Sequence, residues 1–264
     1  MIRSIRAEHK LTEDPLQYSC RMHAHDMFEI LYFVHGDAEF VAEGNRYHLK
    51  KGDIVISAKS ESHYLNVQPP AYYERLMVVF ELDNLSDNSI DAAWADMMLQ
   101  KPLGKYNRFP AAMFAHQNWH YYMQRICDCD EQSKKEVYLR LMMLELTEAY
   151  GQIKAGTDNA PLGRSASIIR YINQHLFEEL SLDILCTHFF LSKSQLNRIF
   201  KQATNSTVWN YILAKRLLRA RELLRSGENP VVVCEKCAFK NYVSFYKAYQ
   251  KQFGCPPKKD HRQN

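Results

Sequence analysis

The chain has 264 residues, 46% hydrophobic and 24% charged, which excludes a disordered or fibrous protein and allows one or two globular domains. No apolar run approaches the ~20 residues of a membrane helix, the N-terminal MIRSIRAEHKLTEDPL has no apolar core for secretion, and seven cysteines in a chain this long point to a reducing cytoplasm. The net charge of +4 conceals an asymmetry: residues 1–159 hold 17 basic and 23 acidic side chains (net −6), while residues 160–264 hold 17 and 7 (net +10), as expected when one half senses and the other meets a polyanion.

Residues 18–80 read as strands. The run 27–35 (MFEILYFVH) is rich in aromatic and branched residues and is followed by Gly36-Asp37. Segment 38–43, a Gly44-Asn45 turn, segment 46–49, a Lys51-Gly52-Asp53 turn, and segments 54–56, 63–67 and 75–81 come next. Short strands with turn signals every ~8–12 residues predict a sandwich or barrel. Residues 83–89 (DNLSDNS) read as a loop, and 1–20 as an arm.

From Ile90 the period becomes helical, over 90–100, 110–128 and 134–153. In the last of these, Val137, Leu141, Leu144 and Glu148 lie on one side, with Leu139, Met143, Leu146 and Tyr150 beside them. A stripe this wide needs a partner, either the chain's own sheet domain or a second copy. Residues 154–163 (KAGTDNAPLG) lack apolar period and read as a linker.

Beyond the linker the chain is helical and repeats itself. Cys186, Leu191, Leu196, Arg198 and Phe200 recur as Cys234, Phe239, Phe245, Lys247 and Tyr249, with one extra residue at the second turn. In the first unit Ser181 caps a short helix over 182–188, a tight break falls at 189–191, and Ser192 caps a second helix over 193–203. Leu196, Ile199 and Phe200 form the buried face of that helix, while Ser194, Asn197, Arg198 and Lys201 point elsewhere. Two helices with a short turn, one presenting Ser, Asn and Arg, form a helix-turn-helix. Arg suits guanine, Asn suits adenine and Ser adapts, whereas Lys201 is assigned to phosphate.

The second unit follows the same plan. Pro230 opens a short helix, Ala238-Phe239 turns, and Lys240-Asn241 leads into a helix over 242–253 stopped by Gly254. Tyr242, Val243, Ser244, Tyr246 and Lys247, with Lys240 and Asn241, are its candidate DNA contacts. A long helix over 208–226 joins the units; it carries Lys215, Arg216, Arg219, Arg221 and Arg225. Such a helix can hold two recognition helices roughly 34 Å apart, one DNA turn.

Residues 168–262 resemble the DNA-binding domain of the AraC/XylS transcription regulators. The resemblance rests on LDILC at 182–186, LSKSQLNRIFK at 191–201, Tyr211 with RLLRA at 216–220, and Phe239 through Phe253-Gly254 and Pro257. It implies two helix-turn-helix subdomains on consecutive major grooves of a promoter. This chain departs from the pattern at several points. The usual Gly before Phe239 is Ala238, the usual Arg and Phe are Lys247 and Tyr249, and the usual Tyr-Arg after the final Pro falls on Asp260-His261. If position 238 needs a positive φ, alanine costs on the order of 1 kcal/mol there.

In the first half, His23-x-His25-x3-Glu29-x6-Gly36 and Gly52-x10-His63-x2-Asn66 resemble the two motifs of the cupin barrel. His23, His25 and Glu29 share parity, as residues on one face of a continuous strand would. The second motif has Ala58 and Ser60 where Pro and Gly are usual. Three readings stand for His23, His25, Glu29 and His63: a polar effector pocket, a divalent metal site, or structural histidines. The AraC resemblance favours the pocket, and its groups suit the hydroxyls of a sugar. Cys127-x-Cys129 and Cys234-x2-Cys237 read as structural thiols.

Together these features predict an α+β protein of two domains. Residues 1–153 form a cupin-like β-barrel with accessory helices, for effector binding and dimerisation; 154–163 are the linker; 164–264 form an all-α domain of two helix-turn-helix subdomains joined by a long helix. The expected function is a bacterial, cytoplasmic, sequence-specific transcription regulator with no catalytic residues. It requires no cofactor, though the barrel offers a place for a divalent metal. Its partners are double-stranded promoter DNA, a small effector such as a sugar, a second copy and RNA polymerase, with no membrane. The competing reading is a metal-dependent cupin enzyme carrying a DNA-binding domain.

Overall fold

The computed structural model describes residues 2–13, 22–68, 72–82, 88–155 and 163–261. The chain divides into two compact units: Met1–Cys20 with Met27–Pro161, and Arg21–Asp26 with Leu162–Asn264. The first is sheet-rich and the second helical, so the fold is α+β, as expected.

The sheet unit holds strands β1 (Ile2–Thr12), β2 (Phe28–His35), β3 (Ala38–Ala42), β4 (Asn45–His48), β5 (Ile54–Ser57), β6 (His63–Val67), β7 (Tyr73–Leu82) and β8 (Arg108–Phe109). They form two antiparallel sheets, in the orders β1-β7-β2-β5-β8 and β4-β3-β6. Alternation along each strand sorts side chains between two cores. Leu31 and Phe33 of β2, Val55 of β5, and Phe40, Leu65 and Val67 of the smaller sheet pack together as the barrel interior. Phe28, Ile30, Ile54, Ile56, Val78 and Phe80 face the other way, onto helices.

Those helices are α1 (Ser89–Gln100), α2 (Trp119–Asp128) and α3 (Gln132–Ala155), with a 3-10 turn at Ala111–Phe114 just before α2. The helix expected over 110–128 is therefore this turn followed by α2, because Asn118 caps a new helix by accepting from the Tyr121 amide. Helix α3 runs on through residues 154 and 155 of the expected linker; 156–162 lie outside the described residues. It buries Leu139, Met142, Met143 and Leu146 in its own unit's core, while Val137 and Leu144 stay exposed. Residues 2–12, expected to belong to an arm, pair with β7 from Ile2↔Leu82 to Thr12↔Tyr73.

The helical unit holds α4 (Arg164–Gln174), α5 (Leu182–Phe189), α6 (Lys193–Thr204), α7 (Val208–Arg225), α8 (Pro230–Lys236), α9 (Tyr242–Phe253) and α10 (Pro257–His261). It has two cores. One gathers Ile168, Leu185, Leu196, Phe200 and Tyr211; the other gathers Leu217, Leu224, Val233, Phe245 and Tyr249. Helix α7 contributes to both and so joins the two helix-turn-helix subdomains. Among the described residues no helix is long and apolar enough to cross a membrane.

Candidate nucleic-acid interface and effector site

Capping side chains write both helix-turn-helix units. Ser181 accepts from the Ile184 amide to start α5. Ser192 starts α6 with a reciprocal box: its Oγ accepts from the Gln195 amide while Gln195 Oε1 accepts from the Ser192 amide. In the second unit Asn229 and Pro230 open α8, and Asn241 opens α9 by accepting from the Ser244 amide.

Each unit turns in the same way. The Leu191 amide donates to Cys186 O and the Phe239 amide to Cys234 O, both at 3.0 Å. The residue before each amide is left-handed: Phe190 at φ 52° and Ala238 at φ 55°. This is the helix-ending turn that glycine usually fills. The two positions are 48 residues apart and the next helices 49, so the extra residue sits between Ala238 and α9.

The turns set α6 and α9 at the surface. Leu196, Phe200, Phe245 and Tyr249 are buried, whereas Ser194, Asn197, Arg198, Lys201, Lys240, Val243, Ser244 and Lys247 are exposed. Tyr242 and Tyr246 are half-buried, with ring centroids 6.4 Å apart. Asn241 is exposed, but its carbonyl is spent on the cap.

The basic residues of α7 behave differently from the charge count. Arg216 is 6% exposed and donates to three main-chain carbonyls, Leu176 O at 2.8 Å, and Glu178 O and Ala238 O at 2.9 Å. Lys215 is buried over the Tyr211 ring. Arg219 pairs with Glu222 at 2.9 Å. Arg221 lies over the Phe253 ring and donates to Asp260, and Arg225 donates to Asp26 at 2.6 Å. The five cations that this helix adds to the +10 charge are thus spent within the chain.

The departures near the C-terminus compensate one another. Tyr249 O–H donates to Asp260 Oδ2 at 2.6 Å, in a buried cluster that Arg221 joins. Burial and the neighbouring carboxylate both push the Tyr249 phenol well above its ordinary pKa, so it stays a donor. A tyrosine where the family pattern has Phe supplies the proton that an aspartate where it has Tyr requires. Cys234 and Cys237 are buried, and burial pushes the Cys237 thiol up to about 12 and the Cys127 thiol up to about 11. Inert structural thiols fit both.

The histidine motif does not form one strand. Strand β2 begins at Phe28, so Glu29 is in it while His23 and His25 precede it, on the Arg21–Asp26 stretch that clusters with the helical unit. His23 and His25 have ring centroids 5.9 Å apart. Met22 of the same stretch packs on the first helix-turn-helix core. The continuous strand expected over 23–29 is interrupted, since the backbone bends at residues 26 and 27.

Glu29 and His63 do share the barrel interior. Both are buried, with His63 Nε2 3.6 Å from Glu29 Oε2. His63 Nδ1 lies 2.9 Å from Glu61 O, and its ring stacks on Phe40. Ser57, register partner of Glu29, has a buried Oγ without a hydrogen-bond partner. Beside them, Glu61 and Lys101 form a fully buried ion pair at 2.6 Å. The Ala58 and Gly104 amides and the Asn107 amide group also donate to Glu61. Burial alone would raise the Glu61 pKa; the Lys101 charge and these donors outweigh it and hold the carboxyl below its ordinary value.

Paired helix-turn-helix units on one continuous helix, joined to a two-sheet domain that buries Glu29 and His63 in its interior, define a class of two-domain transcription regulators. Two family models match accordingly, an AraC-like ligand binding domain over residues 11–102 and a helix-turn-helix domain over 185–263. The chain belongs to the AraC family. It is 30% identical over 122 residues to the transcriptional activator RhaR of Mannheimia succiniciproducens, covering 46% of this chain and 43% of that one. It therefore spans less than half the length of that relative. It is 23% identical over 247 residues to the transcriptional activator RhaS of Escherichia coli, covering 89% and 85%. The solved structure of ToxT from Vibrio cholerae is similar along 97% of both chains, at 11% identity and a TM-score of 0.39.

Proposed function

We propose that the chain regulates transcription by reading promoter DNA with α6 and α9, under control of a small effector held in the sheet unit. The carrying observation is the repeated turn that sets two polar-faced helices at the surface on either side of α7. Arg198, exposed on α6, reads a base by bidentate donation, and Lys201 holds phosphate. Arg198→Ala is expected to weaken promoter binding by ~1–3 kcal/mol and relax specificity at one base pair, measured by gel shift on specific and random DNA. An equal loss on both DNAs would remove Arg198 from base reading.

The effector reading is supported by Glu29, His63 and Ser57 inside the barrel, a set that suits the hydroxyls of a sugar or related metabolite. No cofactor is needed for it. Metal analysis of chelator-free protein, with Glu29→Gln as control, separates an effector site from a divalent-metal site. Control by a second copy is supported by α3, whose Val137 and Leu144 are exposed at a spacing that also brings Leu141 to that side. Gly151, on the same stripe, has open space where a Cβ would be, which suits close approach of another helix. Contact with RNA polymerase belongs to the same reading.

A further inference from the structure

We propose that the helical unit has a small-molecule site of its own, taking an uncharged aromatic ligand that competes with DNA at the second helix-turn-helix. A groove of about 530 Å³ lies among the loop after α4, the first half of α7 and the turn before α9. That volume falls in the range of ligand pockets, roughly 300–1,000 Å³.

Its walls are apolar: Phe177, Leu180, Trp209 and Phe239 line it. Trp209 is 56% exposed and Phe177 44% exposed, whereas Phe200, Tyr211, Phe245 and Tyr249 of the same unit are buried. Two such exposed rings on one concave surface offer stacking faces.

The groove is also pre-formed. The three carbonyls that Arg216 binds belong to Leu176, Glu178 and Ala238, so one buried guanidinium ties together the loop, the long helix and the turn that make the walls. A ligand entering finds its walls already ordered, which lowers the cost of binding.

The charges select against ions. Glu178 and Glu179 line the groove together with Arg216 and Lys240, two of each sign. Three of the five Arg216 N–H donors are engaged by carbonyls, and the Glu178 and Glu179 carboxylates oppose an anion beside it. What remains for specificity is ring stacking and the Ser244 hydroxyl. The lining includes Lys240, Asn241 and Ser244, assigned above to the DNA face of the second unit, so ligand and DNA exclude each other. This last clause rests on the regulator reading; the existence of the site does not.

The test uses the intact chain and the neutral dye N-phenyl-1-naphthylamine, first without DNA. Dye emission is expected to rise saturably on excitation of tryptophan, since Trp209 lies in the groove while Trp94 and Trp119 are buried in the sheet unit. Trp209→Ala, an exposed position whose loss spares the fold, is expected to weaken binding at least about tenfold. Absence of saturable binding, or undiminished binding by Trp209→Ala, overturns the site. Promoter DNA is then added to the dye complex. Displacement supports the competition, and a ternary complex overturns it. Promoter binding without dye is measured in parallel, so a failure of the regulator reading is seen separately.

Discussion

Ala238 shows how a single residue carries strain that the fold requires. Its φ of 55° places the Cβ against its own carbonyl, at a cost of ~1 kcal/mol that glycine avoids. The turn survives because Phe239 N–H and Ala238 O are both engaged, the latter by Arg216. Ala238→Gly is therefore expected to stabilise the helical unit by about 1 kcal/mol, read from the midpoint of urea unfolding. Glu61 carries a larger stake. Its folded pKa lies below the ordinary carboxylate value, so its contribution is fully present above the unfolded pKa and is lost as pH falls through the folded one. Stability of the sheet unit is expected to fall steeply in acid, below the ordinary glutamate range. Glu61→Ala at neutral pH is expected to cost about 3–5 kcal/mol, because it leaves the Lys101 ammonium buried alone. Thermal unfolding against pH measures both.

Helix α3 divides its apolar stripe into a buried set and an exposed set. The sequence pattern left open whether its stripe meets the chain's own sheet or a second copy, and burial separates the two sets of residues. Leu139, Met142, Met143 and Leu146 meet the sheet unit, and Val137 and Leu144 do not. If the proposed second copy docks on the exposed stripe of α3, Leu144→Glu is expected to leave the circular dichroism unchanged and to abolish a dimer in sedimentation; a wild-type monomer overturns that docking. The helix-turn-helix units were largely legible beforehand, because capping residues act locally: Ser181, Ser192, Pro230 and Gly254 mark ends within a turn of themselves. Other features depend on long-range packing. Strand β1 was hidden because Arg6, Glu8 and Lys10 alternate with weak apolar residues, and its strand character comes from pairing with β7. His23 and His25 lie outside β2, because motif spacing carries no information about where a strand starts.

For the whole molecule, a count of charges by sequence position overstates the cations available to DNA. The +10 of residues 160–264 includes Lys215, Arg216, Arg219, Arg221 and Arg225, all engaged inside the chain. In the proposed DNA reading, attraction to phosphate rests on exposed groups such as Lys201, Lys247 and Lys251. The slope of log affinity against log salt is expected to drop by about one for Lys201→Ala, with affinity falling alike on all sequences. Arg219→Ala, whose charge faces Glu222, is expected to leave that slope nearly unchanged.

The Arg216 clamp has a further consequence, for the DNA rather than the protein. One guanidinium fastens the end of the first subdomain's loop and the turn of the second onto the helix between them. If α6 and α9 read DNA as proposed, this clamp resists independent swivelling of the two reading heads, so the protein is expected to work as a calliper of fixed opening. Inserting about five base pairs between the two subsites carries the second one half a turn around the duplex. A jointed reader would follow it there. A calliper must let go of one end.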